Sequence, residues 1–249
     1  MTRSDRQMSH PGTRPPVNAP LLAPDRPRRV VRGIAPFLLV MAAVLLAACS
    51  NSNSWRQKLM VTVETPEGAR TAASVVSVTM RDTKGYEWMT LPQARGASYE
   101  LTGEAVVLEL APGRYLFALL KGLPYATNVF FPDEPPVETA PRLADMRTSL
   151  ALPAARYPLM VTFADITDPA SVQRVDPDDL AASFGEGYAL SSITLAITDE
   201  KVTKGKVEAV LGWWCDYRSK YFVDRYAEKA ENEFARNIGG SHFRTGECQ

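Results

Sequence analysis

Between residues 57 and 200, apolar and β-branched side chains alternate with polar ones in short runs, a period near two that predicts strands. Residues 59–64 and 74–80 are the first two runs, separated by a turn at Pro66-Glu67-Gly68. Residues 87–91 form a weaker third. Residues 104–110 and 114–120 flank Ala111-Pro112-Gly113, which has the chemistry of a tight hairpin turn. The run Tyr115-Leu-Phe-Ala-Leu-Leu120 is apolar at every position, which predicts a central strand covered on both faces. Residues 158–163 and 188–197 complete the set. The tetrapeptide Leu-Met-Val-Thr occurs at 59–62 and at 159–162, but no sustained repeat surrounds it.

Helical signals are few and short. Residues 176–184 predict one helix, with Asp176 as its cap, Pro177 in the first helical position and Gly185 as its stop. Residues 141–148 and 203–211 each suggest a turn or two. Phe222, Tyr226, Ala230, Phe234 and Ile238 recur at near-helical spacing, which predicts a helix over 219–237 that ends at Gly239-Gly240. The segment 121–157 carries Pro124, Pro132, Pro135, Pro136, Pro141 and Pro153 and reads as a long ordered excursion. Its aromatics Tyr125, Phe130 and Phe131 serve either as core packing or as the lining of a ligand groove. The whole predicts an α+β fold: a mainly antiparallel β-sheet or β-sandwich with short helices and a C-terminal helical segment.

The pattern changes at the N-terminus. Residues 1–33 are rich in Pro and Arg and predict no packed structure. An apolar run of about 15 residues follows from Ile34, shorter than the ~20 that a permanent helical span needs. It ends in Leu46-Ala47-Ala48-Cys49. That ending resembles the lipobox of bacterial lipoproteins, with Arg26, Arg28, Arg29 and Arg32 as the basic flank that stays cytoplasmic. The resemblance implies a signal peptide over 1–48, lipidation of Cys49, a polar tether over 49–56 and one globular domain over 57–249. It implies membrane attachment through the lipid, facing the periplasm. Ser50 after the cysteine, where an Asp signals inner-membrane retention, implies the outer membrane. Arg28-Arg29 is also a partial likeness to a twin-arginine signal.

Removing such a leader alters the charge. The whole chain has 28 basic and 28 acidic residues. The first 48 residues hold seven Arg and two Asp, so 21 basic and 26 acidic residues remain, a net charge of −5. That balance gives no electrostatic case for nucleic acid and no polybasic attraction to lipid. With Cys49 assigned to lipid, Cys215 and Cys248 remain, and an even pair in an exported protein suggests a disulfide. A buried free thiol and a metal pair are the alternatives. His242 is the one histidine beyond the leader, and a metal site would need further ligands.

No catalytic set is readable. The chain has no Gly-x-Ser-x-Gly and no Gly-rich phosphate loop, and no cofactor is implied. Asp165, Asp168, Asp176, Asp178 and Asp179 could form a calcium loop, but the EF-hand spacing is absent and helix capping accounts for the last three. Asp199-Glu200 is either an acid/base pair or a solvated turn. Trp213-Trp214 is either a carbohydrate-stacking surface or a core anchor beside the disulfide. Residues 162–185 and 197–203 are similar to a stretch found in uncharacterised proteobacterial proteins, which implies a recurring domain and carries no activity with it. The expected role is structural, binding or envelope assembly, through a possible protein partner. The alternatives are an envelope enzyme and a small-ligand binding lipoprotein.

Overall fold

A computed structural model describes residues 52–82, 97–224 and 232–248. Among the described residues, nine strands run in chain order: β1 Ser52–Glu64, β2 Arg70–Asp82, β3 Ala97–Thr102, β4 Val106–Ala111, β5 Arg114–Ala118, β6 Ser149–Ala151, β7 Met160–Phe163, β8 Val172–Arg174 and β9 Ala189–Ile197. They form two sheets, ordered β3-β2-β1-β9-β6 and β4-β5-β7-β8, and every pairing is antiparallel. Five short α-helices accompany them among the described residues: α1 Ala126–Phe130, α2 Pro136–Leu143, α3 Leu180–Phe184, α4 Lys206–Val210 and α5 Trp214–Tyr217. The architecture is α+β and mainly antiparallel, as the pattern of polar and apolar positions predicts.

The first core lies between the sheets. Strand alternation puts Trp55, Leu59, Val61 and Val63 of β1 inward, facing Val106, Leu108 and Leu110 of β4, with Ile193, Leu195 and Ile197 of β9 alongside. The hairpin turn at residues 65–69 closes as its sequence predicts. Gly68 N–H donates to Thr65 O at 2.9 Å, with Gly68 at φ 109°. The turn at Gly113 likewise sits in the left-handed region, at φ 71°.

Strand β5 explains its own composition. Leu116 and Ala118 point into the first core, while Phe117 points to the other side. There it meets a second core made with Val161, Val172, Val207, Leu211, Trp214, Phe222, Ile238 and Phe243. The four-stranded sheet is therefore the middle of three layers. The chain after β9 supplies the third. Its rings meet one another and Phe117 of β5 edge to face, with Phe117 5.4 Å from Phe243 and Trp213 5.1 Å from Phe222.

Several expected boundaries move. Strand β1 starts at Ser52, so most of the polar stretch read as a tether is strand, with Ser52 opposite Arg81. The helix expected at 141–148 overlaps α2 only at 141–143; α2 starts earlier because Pro136 takes the first helical position behind the extended Pro135, and it ends at Leu143. Asp176 does not cap the helix after it. Its carboxylate turns back on Asp178 N–H at 3.0 Å, and Asp179 caps α3 by accepting from Ala182 N–H at 3.1 Å. Residues 219–224 hold turns and an isolated bridge from Tyr221 to Gly239, and Ala235–Asn237 is a single 3-10 turn. Phe222 and Phe234 both reach the second core, from backbone that is not α-helical, and Tyr226 and Ala230 lie outside the described residues. The strand expected at 87–91 lies outside the described residues.

Candidate functional site

The C-terminal layer gathers most of the chain's unusual chemistry. Cys215, on α5, and Cys248 form a disulfide, with Cα atoms 5.9 Å apart. Glu208, on α4, lies beside it, its carboxylate oxygen 3.8 Å from Cys215 Sγ. The same carboxylate forms an ion pair with Arg244, which is only 4% exposed. Arg244 also donates to Glu247 O at 3.0 Å, and its guanidinium lies 5.1 Å from the Trp214 ring centroid. Glu208, Cys215 and Cys248 place their donor atoms within 4.8 Å of one another. Metal sulfur ligands are thiolates, and two sulfurs joined in a disulfide offer none. The cluster is a structural staple that ties the chain's last residues to α4 and α5.

His242 belongs to this layer as a structural group. Its Nδ1 accepts the Gly239 N–H at 3.2 Å, and its carbonyl accepts the Leu120 N–H at 2.8 Å. Burial, with Lys121 nearby, lowers its pKa to about 4, so the ring is neutral at ordinary pH. The lone pair that a general base needs is already spent on a backbone amide.

Both tryptophans are anchors. Trp214 is fully buried, and its indole N–H donates to Gly240 O at 2.9 Å. Trp213 is half-buried and donates to Ile166 O at 2.9 Å. The aromatics of the proline-rich excursion pack likewise. Tyr125 stacks on Tyr99 with centroids 3.9 Å apart, and Arg142 covers the Phe131 ring at 3.9 Å. Tyr125's pKa is raised by burial and by Tyr99, which keeps the phenol protonated.

The candidate calcium loop is a set of turns. Asp165 accepts from Thr167 N–H and Oγ1 at 2.9 and 2.7 Å, and Asp168 accepts from Ala170 N–H at 2.9 Å. Hydrogen bonds from Thr167 hold the Asp165 pKa below its ordinary value. Asp199 and Glu200 are drawn to different cations. Asp199 meets Arg56 at 3.7 Å and pairs with Arg147, while Glu200 meets Lys58 at 2.8 Å. The Lys58 hydrogen bond holds the Glu200 pKa below its ordinary value.

Two buried polar groups are invisible in the sequence pattern. Gln57 stands on the inward face of β1, fully buried. Its carbonyl accepts from Trp55 Nε1 and Ala126 N–H, both at 3.1 Å, and its amide donates to Pro124 O at 2.8 Å. Glu104, 1% exposed, accepts the N–H groups that open α4. Each serves a helix start whose own sequence supplies no cap. Gln57 at an inward strand position and Glu104 just before an apolar strand are the traces in the sequence.

A shallow open groove of about 430 Å³ crosses the outer face of the five-stranded sheet, floored by Met60, Thr194 and Ala196 and walled by Lys58, Arg147 and Glu200. Its charged walls are the ion pairs just described. Among the described residues, no helix is long and apolar enough to cross a membrane. Cys49 lies outside the described residues. No protein family, curated protein or solved structure matches the chain.

Proposed function

We propose that this is a lipid-anchored protein of the bacterial envelope, held at the membrane through Cys49 and facing the periplasm, with a structural, binding or assembly role. The carrying observation is the junction at Cys49. An apolar run ends there in small residues and a cysteine, and β1 begins three positions later at Ser52. Ser50 after the cysteine favours the outer membrane. The Cys215–Cys248 disulfide supports export, because such bonds persist in oxidising compartments.

A binding or structural role is favoured over catalysis by how the titratable groups are used. His242 accepts a backbone amide, the loop aspartates cap turns, and Asp199 and Glu200 sit in exposed ion pairs. The test is Cys49→Ala in cells fed labelled palmitate. A longer precursor that takes up no label is expected. Normal processing without label in the unaltered protein sinks the reading. Affinity capture of the membrane-extracted protein then tests the role, and recovery of no reproducible partner counts against assembly.

A further inference from the structure

Three side chains with metal-ligating atoms converge in the C-terminal layer. Glu208 stands on α4, Cys215 on α5 and Cys248 in the segment after Phe243, and their donor atoms lie within 4.8 Å of one another. Joined as a disulfide, the two sulfurs are not ligands. Both cysteines are exposed, so an attacking thiolate can reach them. A dithiol reductant opens the bond by exchange. One of its thiolates bonds to one sulfur and expels the other. Its second thiol then expels the first, and the reductant leaves as its own disulfide. Two electrons and two protons pass to Cys215 and Cys248.

The donors are held in place by bonds that do not involve sulfur. Thr245 N–H donates to Gly103 O, and Gly103 N–H donates to Thr245 Oγ1, both at 3.0 Å. Arg244 donates to Glu247 O at 3.0 Å, and Arg218 pairs with the Glu247 carboxylate. These contacts keep the residues before Cys248 beside α5 when the disulfide is open. Cys215 follows the fully buried Trp214, and Glu208 follows the buried Val207. The Glu208 carboxylate is itself fixed by the buried Arg244.

The spacing suits a tetrahedral cation. Metal–sulfur bonds of about 2.3 Å and metal–oxygen bonds of about 2.1 Å set an S···O edge of roughly 3.6 Å and an S···S edge of roughly 3.8 Å. Glu208 Oε1 already lies 3.8 Å from Cys215 Sγ. The charges balance as well. A divalent cation with two thiolates and one carboxylate is a monoanion, and Arg244 beside Glu208 offsets it. A carboxylate has about four lone-pair sites, so Glu208 can bind a cation and keep Arg244. The exposed sulfurs leave a fourth position to water. Thiolate donors select zinc and other thiophilic ions over calcium or magnesium.

We propose that Glu208, Cys215 and Cys248 form a site for zinc(II) or a similar thiophilic cation, shut by the disulfide and opened by its reduction. The cation displaces the two thiol protons, and disulfide and cation are alternative states of one set of donors. The site goes beyond the envelope reading above and asks nothing of Cys49.

The full-length protein, reduced with a phosphine that leaves no competing thiol, is titrated with cobalt(II) and then with zinc(II). Thiolate-to-cobalt charge-transfer absorption is expected, displaced by zinc(II) and absent from the oxidised protein. Cys215→Ser and Cys248→Ser should each abolish the band, and Glu208→Gln should weaken cobalt(II) binding several-fold. Circular dichroism establishes that each variant is folded. A second measurement needs no variant: zinc(II) should slow alkylation of Cys215 and Cys248 in the reduced protein, read by peptide mass spectrometry. Reduced, folded protein without the band, or cysteines alkylated equally fast with and without zinc(II), overturns the site. A folded Glu208→Gln variant that binds cobalt(II) as tightly as the unaltered protein removes Glu208 from it and overturns the three-donor arrangement.

Discussion

Glu104 caps a helix 102 residues away. Its two carboxylate oxygens accept the backbone N–H of Lys206 at 3.0 Å and of Val207 at 3.2 Å, the first two residues of α4. Gly205, the residue before the helix, has no side chain to do this. The carbonyl of Glu104 accepts from Ser74 Oγ at 2.6 Å, so the same residue binds the third layer to the edge of β2.

Glu104→Ala should therefore leave one buried and one part-buried amide without acceptors, at a cost of about 2–3 kcal/mol. Urea denaturation measures it. An unchanged midpoint would mean that water or another side chain replaces the cap.

Gly240→Ala should be more damaging. A Cβ there would stand 2.3 Å from Tyr217 O, a backbone atom that cannot swing away. A cost of about 3 kcal/mol or more, or failure to fold, is expected. Gly113→Ala is the control. It has positive φ and nothing within 4 Å, so only conformational strain of about 1 kcal/mol applies. Thermal melts of both variants decide whether close approach or backbone freedom matters more.

Replacing both Cys215 and Cys248 with Ser should lower stability by about 3–4 kcal/mol on the loop-entropy estimate for 33 residues. Thiol titration of the denatured mature protein should find neither of these cysteines free. Finding both free would remove the bond.

Lowering pH should weaken the C-terminal layer through His242. Its folded pKa is about 4 against an ordinary 6.5, so the unfolded chain binds the proton more readily. Stability is undiminished above pH 6.5, falls between 6.5 and 4, and changes no further from this group below that. After allowing for solvent around a half-buried ring, the loss is on the order of 1–2 kcal/mol. His242→Asn, which cannot titrate, should flatten this part of the stability profile measured by urea denaturation across that range.

Much of the fold was legible because strands write their burial into a two-residue period. The alternation of β1 and the turns at Gly68 and Gly113 are local facts, and they appear where the sequence puts them. The apolar run of β5 announced a strand covered on both faces, and the pairing of the last two cysteines followed from their number and setting. Helix limits were less legible, because several residues compete for each cap. Asp176 and Asp179 have the same capping chemistry, and only the path of the chain into the core at Leu180 selects Asp179. Phe222 and Phe234 stand at helical intervals in the sequence, but both pack onto the second core behind β5.

The sequence by itself determined the strand-rich class and the two hairpins, because each depends on neighbours along the chain. Only the tertiary structure decided why Gly239-Gly240 are there. They are not a helix stop; the chain passes so close to Lys220 and Tyr217 that any Cβ would collide. It alone revealed Gln57 and Glu104 as caps for distant helices, and His242 as a half-buried acceptor. Those roles join residues from 69 to 102 positions apart in two cases, and a local pattern holds no record of such pairings.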